Sequence, residues 1–230
     1  MRNFFTLDGV PSTNFNTYLA SSTMFDAPER DVESIEIPGR NGDLLYDNGR
    51  FRNFGASVYC FVPSNMRTYV GALRNWLMSA RGYQRYEDSI HPDEYRLVRY
   101  TGAFALGESD RVGAAVTLGF DCKPQRFLKS GESFISVSSG GTLYNPTRFT
   151  ALPLIRANGN GSLTIGDKTI TISGNSGVIY LDCDLQDAYN GSTNKNRFVT
   201  PDFPQLDPGD NPVTISGLAD VEIMPRWWTI

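Results

Sequence analysis

Between Phe54 and Phe61 the side chains sort into two sets. Phe54, Ala56, Val58 and Cys60 fall on one strand face, and Gly55, Ser57, Tyr59 and Phe61 fall on the other. Both sets carry apolar groups, so the pattern predicts a strand in a sheet covered on both sides, ended by Pro63. Ser64 or Asn65 then stands in place to cap a helix. Met66, Tyr69, Val70, Leu73, Trp76 and Leu77 recur at the spacing of one apolar stripe, and Gly82 follows as a stop. Such a stripe packs on a sheet rather than lying free in water, which makes it core. Further strands are predicted at residues 4–7, 83–86, 95–100 and 114–120. Asp8-Gly9-Val10-Pro11-Ser12 reads as a turn before an irregular stretch, and turn-rich connections are predicted from Thr101-Gly102 through Ser109-Asp110.

Near Ser130 the texture changes to Gly, Asn, Ser and Thr with short strands at close intervals. Strands are predicted at residues 133–137, 154–157, 161–165, 168–172, 178–182, 212–216 and 221–224, with Gly166-Asp167 as a two-residue turn. This cadence without a helix predicts a β-sandwich. The reading is therefore mainly β in two domains, residues 1–130 with one helix and residues 131–230 without. The stretch from Asp187 to Pro212 is the least patterned, and a loop of that length is usually functional or mobile.

Residues 27–50 break the alternation. Val32, Ser34 and Glu36 interleave with Glu33, Ile35 and Ile37 too mixedly for a two-faced strand; Pro38-Gly39 stops the pairing and Asn41-Gly42 turns the chain. The result is a long charged hairpin. Glu29, Asp31, Glu33, Glu36, Asp43 and Asp47 alternate with Arg30, Arg40, Arg50 and Arg52, and a ribbon so charged cannot be buried in its own domain without heavy desolvation. Its natural surroundings are another protein of matching charge, or water.

The totals narrow the function classes. A chain of 230 residues, 40% hydrophobic and 20% charged, folds as one large or two small domains. A net charge of -4 and no Lys/Arg cluster argue against nucleic-acid recognition. The first eight residues lack the apolar core of a signal peptide and no run approaches a membrane span, so a soluble protein made in a cytoplasm is expected. Cys60, Cys122 and Cys183, widely spaced and odd in number, read as buried thiols.

Candidate chemistry is sparse. His91, the sole histidine, lies beside Asp93 and Glu94, but a transition-metal site would recruit more His or Cys; a turn fixed by Pro92, with Asp88 or Glu94 accepting from the imidazole, accounts for it. Asp182, Asp184 and Asp187 fail the EF-hand pattern because Gln186 and Asp187 stand fifth and sixth, which leaves another kind of calcium site open. No nucleophile elbow, P-loop or dinucleotide fingerprint occurs, and no enzyme or cofactor is expected. Trp227 and Trp228, with Tyr180 and Tyr189, are the aromatic candidates for a sugar platform, but the two tryptophans point to opposite faces of any strand, so at most one of them lines a given surface. Trp228 or Tyr189 with Asn190 and Asp187 is the constellation that could meet a sugar or a partner protein.

Ala27-Pro28-Glu29-Arg30-Asp31, Ile37-Pro38-Gly39-Arg40-Asn41-Gly42-Asp43, Asp47-Asn48-Gly49-Arg50 and Asp121-Cys122-Lys123-Pro124-Gln125-Arg126-Phe127 occur in that order. Together they resemble the distal tail protein (Dit) family of siphophages and related prophage tails. The turn around His91 and the terminal Met224-Pro225-Arg226-Trp227-Trp228 also resemble pieces of that family. The resemblance implies a structural hub at a phage tail tip or baseplate, located in the virion. It implies an amino-terminal belt domain that forms a ring, typically a hexamer, and a galectin-like β-sandwich outside it. Implied partners are further copies of the chain, the tail tube protein, the tail-tip hub and tape-measure proteins, and a receptor-binding protein. DNA would pass through the channel without sequence-specific contact, and no membrane, metal or cofactor would take part. On this reading Arg30, Glu33, Arg40, Asp43, Asp47 and Arg50 are the expected ring contacts. The alternative is a carbohydrate-binding module that attaches a tail to host cell-surface glycans, although the galectin architecture does not by itself carry lectin activity.

Overall fold

Phe5 and Leu7 lie on the same side of the first strand, β1 (Phe5–Leu7), and both are buried. In the computed structural model, which describes residues 2–109, 113–200 and 202–230, β1 turns back at Asp8-Gly9 into β2 (Val10–Pro11). A 3-10 turn over Ser12–Phe15 leads into β3 (Tyr18–Ser22), and β4 (Arg30–Ile35) and β5 (Leu44–Phe51) form a hairpin on a two-stranded sheet of their own. There follow β6 (Phe54–Val62), α1 (Met66–Ser79), β7 (Gln84–Asp88), β8 (Glu94–Ser109) and β9 (Ala114–Leu128). The main sheet of this half runs in the order β2-β1-β7-β8-β9-β6-β3. The chain divides into two units, Met1–Arg126 with Ile230, and Phe127–Thr229, so the change falls inside β9.

The apolar stripe of the helix is where the spacing predicts it. Val70, Leu73 and Leu77 of α1 are buried in one cluster with Val58, Val116 and Leu118 of the sheet. Trp76, half-buried at the cluster's margin, stacks on Phe5 and Phe15 with ring centroids 6.1 and 4.6 Å away. The cap differs from expectation. Neither Ser64 nor Asn65 caps with its side chain; Asn65 is left-handed (φ 52°), and its carbonyl accepts the N–H groups of Thr68 and Tyr69.

Three further expectations for this unit are corrected. Only one face of β6 is covered: Ala56, Val58, Cys60 and Val62 are buried, whereas Tyr59 and Phe61 are exposed, because the one helix packs on one side. The stretch before Phe25 contains a strand after all, since β3 pairs with β6. Residues 101–109 continue β8 rather than forming turns, because pairing with β9 outweighs the local preference of Gly102 and Gly107. Asp110, the end of the predicted turn region, lies outside the described residues.

In the second unit the strands are β10 (Ile135–Ser136), β11 (Thr142–Asn145), β12 (Leu154–Ile165), β13 (Lys168–Ile172), β14 (Val178–Asp182), β15 (Asp187–Asn190), β16 (Thr193–Asn194), β17 (Gly209–Met224) and β18 (Trp228–Thr229). All but β18 form one sheet in the order β10-β17-β12-β14-β15-β16, with β11 on β17 and β13 on β12, whereas β18 pairs with β9. The expected separate strands at 154–157 and 161–165 are one continuous β12, and those at 212–216 and 221–224 are one β17. β12 pairs with β14 through its first half and with β13 through its second. Register shifts between Arg156 and Ser162 let it change partners without a break. The stretch 187–212, expected as a loop, is built from β15, β16, a 3-10 turn at Asn196–Phe198 and bridges from Val199 to Ile172 and from Leu206 to Ala151. Asn and Thr side chains that look disordered in sequence serve as turn formers here.

Candidate functional site

The hairpin of β4 and β5 is built around one carboxylate. Arg30 pairs with Phe51 but Val32 pairs with Asp47, so Asn48, Gly49 and Arg50 bulge opposite Asp31. Gly49 supplies the left-handed conformation (φ 70°) that the bulge needs, and its N–H donates to Asp47 Oδ1 at 2.8 Å. The bulge brings two guanidinium groups onto Asp31: Arg50 Nε lies 2.7 Å from Oδ2 and Arg52 Nη2 2.7 Å from Oδ1. Hydrogen bonds from Arg52 and then Arg50 hold the Asp31 carboxyl below the usual carboxylate range. Beside it, Arg30 Nη1 reaches Asp47 Oδ2 at 3.0 Å and lies over the ring of Phe51. Nearer the tip, Ser34 donates to Asp43.

Of the six residues expected in ring contacts, four are thus partnered inside the hairpin: Arg30 with Asp47, Arg50 with Asp31, and Asp43 with Ser34. Glu33 and Arg40 are exposed and make no ion pair among the described residues. The charge of the ribbon fixes its own shape first, and only part is left to face outward.

The pattern of charges concealed an apolar end. Ile35, Leu44, Leu45 and Tyr46 are 46, 49, 68 and 60% exposed. Ile35 lies opposite Leu44, Ser34 opposite Leu45 and Glu33 opposite Tyr46, so apolar groups occupy both faces of the ribbon. The run Leu44-Leu45-Tyr46 directly after Gly42-Asp43 was the available signal. A lone two-stranded hairpin is marginal in water, and clustered exposed apolar side chains mark an interaction surface.

The second constellation is only partly assembled. Asp187, Tyr189 and Asn190 share β15, but Trp228 is tied elsewhere, donating from Nε1 to Thr150 O at 2.9 Å and stacking on Phe149 at 4.4 Å. Trp227 is core. Asp187 Oδ1 accepts from Asn196 Nδ2 at 2.6 Å, and Asn190 Nδ2 donates to Val178 O. Cross-strand register instead sets the candidate tyrosines in a row whose polar members the sequence did not disclose: Glu222, Arg156, Tyr180, Tyr189 and Asn194 stand side by side on β17, β12, β14, β15 and β16. Arg156 bonds Glu222 at 2.5 Å, and the two tyrosine rings stack at 5.8 Å. The opposite face of these strands, with Ile155, Ile179, Leu181, Ala188 and Ile223, is core.

Asp182 is committed to structure. Its carboxylate accepts a fork from Arg226 at 2.8 and 2.9 Å and also the N–H groups of Asp184 and Leu185. Among the described residues no group of three His, Cys, Asp or Glu is placed to hold a metal ion. His91 packs on Phe25 with Nδ1 3.4 Å from Asp88 Oδ1, which accepts the N–H groups of Ile90 and His91 and so fixes the turn. The three cysteines are free and buried, and burial pushes each thiol up to about 12, which leaves them without nucleophilic character at neutral pH.

No family model matches the sequence, and no curated protein matches it. Among solved structures, the chain superposes on the crystal structure of the Dit protein of phage SPP1 with a TM-score of 0.80, covering 100% of both chains at 13% identity. This chain has the Dit fold. The SPP1 protein is described as a paradigm of the hub adsorption apparatus in phages that infect Gram-positive bacteria. A Dit fold accounts for the mainly β architecture, the single α-helix among the described residues and the two main sheets. At 13% identity the likeness is one of backbone path rather than of shared side chains.

Proposed function

We propose that this protein is a structural hub of a phage or prophage-derived tail tip, acting by multivalent protein recognition. The observation that carries the reading is the superposition over the full length of both chains on a tail hub protein. The hairpin supports it from within the molecule, since its apolar end is left exposed by the described residues and a further copy would cover it. Copies related by rotation present heterologous surfaces, which close into a ring when the rotation allows, and six is the number we propose. In this reading the first unit forms the ring, residues 131–230 face outward, and the ring joins the tail tube to tape-measure, tail-tip and receptor-binding components of the virion.

Within the ring, Ile35, Leu44, Leu45 and Tyr46 supply contact area, while Glu33 and Arg40 set register, with Arg30, Asp43, Asp47 and Arg50 shaping the ribbon that carries them. Arg40→Glu is therefore expected to weaken assembly about fivefold or more in light scattering across a dilution series, with subunit melting within ~0.5 kcal/mol of the parent. Arg50→Glu is expected to loosen the hairpin itself, because it removes one of the two partners of Asp31. Unchanged assembly of Arg40→Glu would remove the loop from the interface.

The row on the second unit favours one other reading, attachment to glycans. Tyr180 and Tyr189 offer aromatic surface, and Arg156, Glu222 and Asn194 offer donors and acceptors for hydroxyl groups. Saturable quenching of the intact protein's fluorescence by cell-wall polysaccharide, lost in Tyr189→Ala, is the result this reading requires. Absence of any saturable change would leave the row as a protein-facing surface.

A further inference from the structure

An asparagine followed by glycine can react with its own backbone, because glycine puts no Cβ in the way of the amide nitrogen that attacks. The chain holds five such pairs: Asn41-Gly42, Asn48-Gly49, Asn158-Gly159, Asn160-Gly161 and Asn190-Gly191. The fold treats them unequally, and four have a reacting group tied down. Gly49 N donates to Asp47 Oδ1 at 2.8 Å, and Gly159 N donates to the carbonyl of Gly177 at 3.2 Å. Asn160 is held twice by Asn175, donating from Nδ2 to its carbonyl at 2.9 Å and accepting its N–H on Oδ1 at 2.8 Å. Asn190 Nδ2 donates to Val178 O at 3.1 Å. Each of these bonds must be given up before the side-chain carbon and the next nitrogen can meet.

Asn41 and Gly42 differ from the rest. Both are exposed and lie in the connection between β4 and β5, outside either strand. Neither the Asn41 amide nor the Gly42 N–H has a hydrogen-bond partner among the described residues. Nothing lies within 4 Å of where a Cβ would stand on Gly42, so the backbone there has room to bend. We propose that Asn41 is a site of spontaneous deamidation, and the one of the five pairs that reacts in the folded protein. The Gly42 nitrogen gives up its proton to hydroxide and attacks Asn41 Cγ. The new N–Cγ bond closes a succinimide ring, the Cγ–Nδ2 bond breaks, and Nδ2 leaves as ammonia after taking a proton back from water. Water then opens the ring at Cγ to give aspartate, or at the main-chain carbonyl to give isoaspartate. Either product sets a new carboxylate between Arg40 and Asp43, and isoaspartate also lengthens the turn by one main-chain carbon. The hub reading gives this tip to an interface, but the chemistry does not depend on that reading.

The test incubates the full chain at mildly alkaline pH, folded and, in parallel, in denaturant, where the unfolded chain sets the interval needed for reaction. Brief digestion with trypsin releases residues 41–50, and fragmentation in the mass spectrometer separates reaction at Asn41 from reaction at Asn48. In the folded protein, aspartate and isoaspartate should accumulate at Asn41 about tenfold or more faster than at the other four asparagines, since a tied pair reacts only in the fraction of molecules locally opened. The rate at Asn41 should rise with hydroxide concentration, as loss of the amide proton requires. An acidic species should appear on ion exchange over the same interval and be absent from Asn41→Gln, whose longer side chain would have to close a larger ring. That substitution sits on an exposed loop, so the variant keeps the fold of the parent. Equal rates at the five pairs in the folded chain, faster reaction at any of the other four, or an intact Asn41 after the denatured chain has reacted would overturn the assignment.

Discussion

Gly161→Ala is expected to unfold the second unit. A Cβ at this position would lie 2.0 Å from the carbonyl oxygen of Ser216 and 2.8 Å from both the carbonyl carbon of Gly217 and the nitrogen of Leu218. All three are backbone atoms of β17, at the place where β12 shifts register and changes partners. No rotamer change relieves such an overlap, so the two longest strands of the unit would have to separate. The expected loss is at least ~4–5 kcal/mol, the size reserved for a few named mechanisms of which backbone overlap is one. Denaturant titration followed by tryptophan fluorescence checks it, since Trp227 and Trp228 both lie in this unit. A midpoint equal to that of the parent would mean that β12 and β17 do not approach as described.

The second large effect is expected at Asp182, whose side chain is only 6% exposed and is held by the Arg226 fork. Burial pushes this carboxyl up, and the bonds from Arg226, Leu185 and Asp184 overcome it, holding the group below its usual value. Removing one partner of a buried pair leaves the other charge uncompensated, at a cost of about 3 kcal/mol for Asp182→Ala, the lower end of the usual range because Arg226 keeps some solvent contact. The sign with pH follows from the direction of the shift. The depressed value contributes stability that is fully present above about pH 4, the unfolded range, and is lost as pH falls through the folded value. Melting curves from neutral to acid pH should therefore converge for parent and variant at the acid end. A constant gap down to the lowest pH would place the stabilisation elsewhere.

Much of the fold was legible because it rests on alternation and spacing. The helix stripe from Met66 to Leu77, the buried face of β6 and the β12–β13 turn at Gly166-Asp167 need only local periodicity. What was illegible depends on distant pairing. Gly102 and Gly107 read as turn residues, yet β8 runs through both because β9 lies beside it. β12 and β17 read as two strands each, since glycines interrupt the alternation where the register shifts. The site divides the same way. The charges of the hairpin were plain, but which acid meets which arginine depends on the bulge at Gly49, and the exposure of Leu44 to Tyr46 depends on how little of the described chain packs there.

The central claim is a closed ring of this chain, and counting subunits tests it most directly. Native mass spectrometry of the purified protein, at rising concentration and again with its neighbouring tail proteins, should show a species of six copies that is lost when Leu45 and Tyr46 are replaced by serine. A single 25.5 kDa species under every one of these conditions would contradict the account.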